Sequence, residues 1–142
     1  MNKKLLCKSF AVASLVVMSS CTSTQTPSYK DLNGEWNIVE IEGRKIEKAE
    51  EQPFFGFNIA EGRLYGSAGC NNLIGGLDTL QLAKGSLSMK QVGMTRRMCA
   101  DMTVEDQLSK IMPQIETFKF EKENKLILQN ADKKAIVTLE KR

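Results

Sequence analysis

From Leu32 to Leu139 apolar residues recur at every second position in short runs closed by turn residues, a pattern that commits the chain to half-buried β strands. In the first run Trp36 and Ile38 alternate with polar neighbours, and the phase slips at Val39 and Ile41, which predicts a bulge. Glu42-Gly43-Arg44 reads as the turn that follows. Phe55, Phe57 and Ile59 make the next stripe, with Phe54 on the other face. Glu61-Gly62 then leads into a hairpin partner carrying Leu64, Gly66, Ala68 and Cys70. Small residues dominate that last inner face, so another backbone or a bulky side chain must approach it closely. Leu80 with Leu82, and Leu87 with Met89, predict two further short strands. Phe118 with Phe120, Leu126 with Leu128, and Val137 with Leu139 predict three more, with turns at Glu123-Asn124 and Asn130-Ala131-Asp132.

One segment follows a different period. Val104, Leu108, Ile111 and Met112 recur at helical spacing, Thr103 offers a hydroxyl as N-cap, and Glu105 and Asp106 place acids in the first turn, where they favour the helix dipole. Pro113 limits or kinks that helix. The expected architecture is therefore mainly β, a small antiparallel barrel with one short α-helix over a side or an end. Trp36, Phe54, Phe55, Phe57, Phe118 and Phe120 supply enough ring volume to fill such a barrel.

The N-terminal residues serve another purpose. Lys3, Lys4 and Lys8 precede an apolar run from Phe10 to Met18 and then Ser19-Ser20-Cys21, the layout of a secretory signal. The run is too short for a spanning helix, which takes roughly 20 apolar residues. The cysteine behind two small residues resembles a bacterial lipobox, in which the sulfur receives a diacylglycerol, the chain is cut before it and the new N-terminus is acylated. A plain secretory signal cut near Ser20, without lipid, is the alternative. Residues 1–20 are read as the signal, residues 21–30 as a polar tether reaching at most ~36 Å at ~3.6 Å per residue, and residues 31–142 as one domain with one core. Acyl chains on Cys21 would anchor the protein without spanning, each buried methylene contributing ~0.8 kcal/mol.

The formal charge of +3 resides in the export signal: without Lys3, Lys4 and Lys8 the basic residues equal the 17 acidic ones. A neutral domain with interleaved lysine and glutamate has no electrostatic footprint for nucleic acid and no polybasic patch for anionic lipid. Cysteine parity speaks to compartment. Of four cysteines, Cys7 leaves with the signal and Cys21 takes lipid, so Cys70 and Cys99 remain as a pair. In an oxidising envelope such a pair is usually bonded, closing a loop of about 30 residues, for which chain entropy gives roughly 3.5 kcal/mol. Two buried, reduced thiols acting as small apolar residues are the other possibility.

No catalytic constellation emerges. The chain has no histidine, the commonest general base and metal ligand near neutral pH. Ser67, Ser86 and Ser88 lack a lysine at telling spacing, and the carboxylate pairs Glu105 with Asp106 and Glu50 with Glu51 are adjacent, diverge in direction and read as solvated surface. We expect no enzyme activity, no cofactor and no metal. Met94, Met98 and Met102 beside Cys99 are soft ligands of the kind that suit Cu(I), but flexible methionines filling irregular gaps are the adopted reading.

Gly69-Cys70-Asn71-Asn72, followed by Gly75, and Thr95-Arg96-Arg97-Met98-Cys99, followed by Asp101-Met102 and the helix from Glu105 to Leu108, resemble the two signature motifs of the META domain, the HslJ-type heat-inducible lipoprotein family. Leu32-Asn33-Gly34-Glu35-Trp36 and Leu126-Ile127-Leu128 extend the likeness from Leu32 to about Leu139. The second motif differs from the usual Thr-Arg-Met-Ala-Cys at Arg97 and Met98, which counts against any function needing a small, uncharged surface there.

This resemblance implies a calycin-like, or lipocalin-like, antiparallel barrel with a short helix. It also implies lipid anchoring in a bacterial envelope and a link to stress, and supplies no catalytic residues. Arg96 is expected to pair with a carboxylate or with free carbonyls at the barrel end rather than to receive an anionic ligand. Asn71 and Asn72, with Gly75-Gly76, tolerate left-handed backbone and predict an irregular loop.

Two functional readings follow: a monomeric envelope module that engages another envelope protein, and a carrier of a small apolar ligand inside a barrel of about eight strands. Gly34-Glu35-Trp36 echoes the Gly-x-Trp that opens lipocalin barrels. Thr22 and Ser23 lack the aspartate that resembles an inner-membrane retention signal, so the expected site is the outer membrane, facing the periplasm.

Overall fold

The computed structural model describes residues 27–47 and 51–142; the stretch read as an export signal, Cys7, Cys21 and Glu50 lie outside the described residues. A short 3-10 turn, Tyr29–Leu32, leads into β1 (Gly34–Ile41). Then follow β2 (Arg44–Lys45), β3 (Phe54–Asn58), β4 (Arg63–Ser67), β5 (Asn72–Gly76), the single turn α1 (Thr79–Leu82), β6 (Gly93–Met94), α2 (Thr103–Ile111), β7 (Thr117–Lys122), β8 (Lys125–Gln129) and β9 (Ala135–Lys141). All pairings are antiparallel, in one sheet of order β6-β5-β4-β3-β1-β9-β8-β7, with β2 paired to β1.

The phase slip seen in β1 is a bulge. Ile38 faces Leu139 and Glu40 faces Thr138, so Val39 has no partner across the ladder with β9. That extra residue returns Ile41 to the inner face, where it is as buried as Ile38. The β1–β2 turn needs positive φ at both central positions, and Glu42 and Gly43 adopt 48° and 81°. On β4 the small-residue face meets a backbone as expected: a Cβ on Gly66 would lie 3.2 Å from the Phe55 Cα.

The sheet is strongly curled. Between β1 and β7 lie β9 and β8, so in a flat sheet their side chains would be about 14 Å apart. The rings of Trp36 and Phe120 nevertheless stand 6.0 Å apart. Inside the curl Trp36, Phe55 and Phe57 pack with Ile38, Leu64, Leu126, Leu128 and Leu139, and α2 adds Leu108 and Ile111. Burying each such side chain contributes about 1.5–3 kcal/mol. The Trp36 indole donates from Nε1 to the Leu32 carbonyl at 2.7 Å, so the core's largest ring also fixes the 3-10 turn.

Four expectations are corrected. The sheet does not close into a barrel: β6 is two residues long and β7 is the opposite edge. In place of a closing ladder, Ser86 bridges to Thr117 and the Leu87 N–H donates to the Glu116 carbonyl at 2.9 Å. The strand expected at Leu80 and Leu82 is α1, because the Asp78 carboxylate accepts from the N–H groups of Leu80 and Gln81 and starts a helical turn. Residues two apart on a helix point about 200° apart; accordingly Leu82 is 1% and Leu80 74% exposed. The strand expected at Leu87 and Met89 reduces to the Ser86 bridge, although both side chains are buried. Finally, the aromatic filling is smaller than expected. Phe54 lies on the outer face, edge-on to Tyr65 with the Arg142 guanidinium over its ring, while Phe118 and Phe120 are half-buried at the margin.

The helix α2 falls where its periodicity placed it, and Pro113 converts its end into a 3-10 turn, Met112–Gln114. Its cap is displaced: the N-cap position is Met102, and the carboxylate that receives the Thr103 N–H, at 2.9 Å, belongs to Asp101. These hydrogen bonds from Thr103 hold the Asp101 carboxyl below its ordinary value. At the end of the domain where the chain enters, the Lys141 ammonium donates to the carbonyls of Asp31 and Asn33 and sits over the Trp36 ring. Burial pushes its pKa down.

Candidate functional site

The turn from β4 to β5 carries Ala68-Gly69-Cys70-Asn71. The Ala68 N–H donates to the Asn71 carbonyl at 2.8 Å, and Gly69 takes a φ of 109°, which favours glycine. This tight reversal turns the Asn71 side chain inward, where it is fully buried. All four hydrogen-bonding positions of its amide are used. Nδ2 donates to Glu105 Oε1 at 2.7 Å and to the Arg97 carbonyl at 3.0 Å. Oδ1 accepts from the Arg97 N–H at 2.6 Å and from Thr95 Oγ1 at 2.8 Å. The Asn71 main-chain N–H completes the set by donating to Glu105 Oε2 at 2.9 Å.

Three further links join the same segments. Cys70 and Cys99 form a disulfide, with Cα atoms 6.2 Å apart. The Arg97 guanidinium donates to the Cys70 carbonyl. Thr95 and Asn72 exchange two bonds, the Thr95 N–H to the Asn72 carbonyl and the Asn72 N–H to Thr95 Oγ1, both at 3.0 Å. Residues 95–102 contain no helix or strand, so these side-chain and backbone links are what give the segment one conformation. The result is a clamp that holds the β4–β5 turn, the segment after β6 and the first turn of α2 together.

Gly69, Cys70, Asn71, Asn72, Thr95 and Cys99 are thus brought together, with Cys70 and Cys99 bonded as expected, whereas Asn72 and Gly75-Gly76 lie in β5 rather than in the irregular loop expected there. Arg96 is not among them: its side chain is exposed and makes no hydrogen bond or ion pair among the described residues. The arginine that reaches a carbonyl is its neighbour Arg97, because that residue's backbone is pinned on Asn71. Glu105 is the residue sequence reasoning missed. Read as solvated surface with Asp106, it is 7% exposed, while Asp106 points to solvent. A signal was present: Glu105 precedes Leu108 by three positions and Met112 by seven, which puts it on the apolar stripe of the helix.

Between the clamped segment and α2 runs a groove of about 650 Å³, lined by Met94, Met98 and Met102 with Met89, Met112 and Arg96 among others. Every methionine of the described residues lines it. The three methionines that flank the second motif therefore share one depression, but the Cys99 sulfur is committed to Cys70 and offers no thiolate beside them. At the clamp itself, the Glu105 oxygens and the Asn71 amide are occupied by protein partners. The arrangement holds loops in place and leaves Arg96, Met98 and the groove as its exposed chemistry.

Two solved structures resemble the chain. One, an NMR structure, has a TM-score of 0.61 at 21% identity and covers 80% of this chain and 94% of its own. Another, the NMR structure of a protein from Burkholderia xenovorans, has a TM-score of 0.59 at 15% identity, covering 98% of each chain. At these identities the likeness establishes the fold alone. No curated protein matches the chain. The META domain matches residues 30–142, which span both motif segments, the clamp and the sheet, and the chain belongs to the META domain family.

Proposed function

We propose that this chain is a non-catalytic, lipid-anchored protein of the bacterial envelope whose META domain is an interaction module associated with stress. The observation that carries the reading is the clamp: a disulfide and a saturated Asn71–Glu105 pair fix two loops and display Arg96 and Met98 on their outer side. A disulfide accords with an oxidising compartment outside the cytoplasm. The likeness of Ser19-Ser20-Cys21 to a lipobox supports acylation, palmitate included, at Cys21. Six residues from Cys21 to Pro27, at ~3.6 Å each, hold the domain within about 22 Å of the bilayer.

In this reading the protein sits at the outer membrane, faces the periplasm and works as a monomer that engages another envelope protein. Its resemblance to HslJ-type heat-inducible lipoproteins supplies the stress association, and we take the curled open sheet as a variation on a calycin-like plan. The competing reading, a lipocalin-like carrier, meets an interior already occupied by Trp36, Phe55 and Phe57, each 1% exposed or less. Fractionation of cells expressing the wild type and Cys21→Ser tests the anchor. Release of the variant from membranes and loss of acyl mass are expected; equal sedimentation with vesicles, or a bare sulfur in the wild type, would remove it. Native mass spectrometry of the acylated protein tests the carrier, which a co-purifying lipid held in the domain would restore.

A further inference from the structure

We infer that the methionine-lined groove beside the clamp docks an acidic, amphipathic peptide segment of another envelope protein. The inference deepens the interaction-module reading and rests on it. Thioethers are flexible and polarizable, and surfaces rich in them re-pack around apolar side chains of varied shape. Met98 is 93% exposed, an unusual position for a large apolar side chain, and the neighbouring Met94 and Met102 are half-buried.

Charge decides what kind of apolar segment fits. Around the groove stand Lys90, Arg96 and Arg97. Lys90 is paired with Glu116 at 3.4 Å, Arg97 donates to the neutral Cys70 carbonyl, and Arg96 has no partner among the described residues. The carboxylate in the lining is Glu105, buried and turned onto the neutral Asn71, so its charge offsets one of the two guanidinium groups. The groove thus presents apolar thioethers beside a lining that is still net positive, with the exposed Arg96 unpaired among the described residues, which suits carboxylates on an incoming segment. An amphipathic helix laid in a groove by its apolar face, with acids along its flank, meets both demands.

Position favours a protein over a lipid headgroup. The chain from Cys21 enters at Pro27, beside the end of the sheet where Asn33 accepts from the Ile59 N–H. From there β4 runs from Arg63 to Ser67, about 15 Å along the strand, to the clamp. A domain moored at the first end presents the groove away from the bilayer.

The test is methionine-methyl NMR on the full chain, in which the groove methionines are five built-in probes. A leucine–glutamate peptide patterned as an amphipathic helix is titrated against a leucine–lysine peptide of the same pattern. Saturable shifts of the Met94, Met98 and Met102 methyl signals with the acidic peptide alone are expected. Arg96→Glu should weaken that binding about tenfold, while an unfolding midpoint equal to that of the wild type reports an intact fold. Equal response to both peptides, no response to the acidic one, or an unchanged affinity in Arg96→Glu would overturn the proposal. So would a response confined to Cu(I) or to anionic phospholipid bicelles added alone. None of these readouts uses the anchor, so their failure is separable from failure of Cys21 acylation.

Discussion

The Glu105 carboxylate receives two hydrogen bonds from one residue, Asn71, through its main-chain N–H at 2.9 Å and its side-chain Nδ2 at 2.7 Å. The two residues lie 34 positions apart, one in the turn after β4 and the other in the first turn of α2. This pair converts two loops and a helix start into a single body, and the stability of the motif region follows from it.

Removing the acceptor should be costly. Glu105→Ala leaves two buried donors of Asn71 without partners, each a desolvation penalty of about 1–3 kcal/mol. A loss of about 2–4 kcal/mol is expected in urea unfolding, whereas Asp106→Ala, one position on and exposed, should change stability by no more than about 0.5 kcal/mol.

The Cys70–Cys99 disulfide closes a loop of sequence separation 29. Replacing both cysteines by serine should lower stability by about 2–4 kcal/mol and expose residues 95–102 to limited proteolysis. Thiol labelling of the denatured, unreduced protein should leave Cys70 and Cys99 unmodified.

Acid should loosen the start of α2. The Asp101 carboxyl accepts from Thr103 and is held below its ordinary value of 3.8. A carboxyl with a lowered folded value contributes stability above the unfolded value, and the contribution is lost as pH falls through the folded one. Carboxyl NMR should therefore show Asp101 titrating below 3.8, and Asp101→Asn should flatten the acid limb of the stability profile.

Gly66→Ala should be destabilising by about 1–3 kcal/mol through overpacking, since its methyl would press on the backbone of β3 at Phe54 and Phe55. A stability equal to wild type, measured by thermal unfolding, would mean that β4 can move away from β3 without loss.

Much of the sheet was legible because period-two burial is a local signal. Trp36, Ile38, Phe55, Phe57, Leu126, Leu128, Val137 and Leu139 all lie inside, and even the bulge at Val39 could be read from the slip to Ile41. Leu80 and Leu82 misled because apolar residues two apart imitate one face of a strand, whereas on the helical turn they point opposite ways and leave Leu80 exposed; the deciding group was the Asp78 carboxylate before them. Closure of the sheet was not legible, since it depends on whether the distant edges β6 and β7 meet. The Cys70–Cys99 disulfide was legible from cysteine parity, but the attachment of Asn71 to Arg97 and Glu105 was not. Glu105 was masked by its charge, although its place on the helix stripe marked it as inward. Arg97 displaced Arg96 because the Asn71 amide captures its backbone, a contact no spacing rule contains.

Asn71 and Glu105 act as one unit, and a double-mutant cycle measures that directly. Unfolding free energies of wild type, Asn71→Ala, Glu105→Ala and the double variant should show a coupling of at least about 1 kcal/mol, with the double variant costing less than the sum of the singles. Additive losses would contradict the clamp and, with it, the fixed display of Arg96 and Met98 on which the functional reading stands.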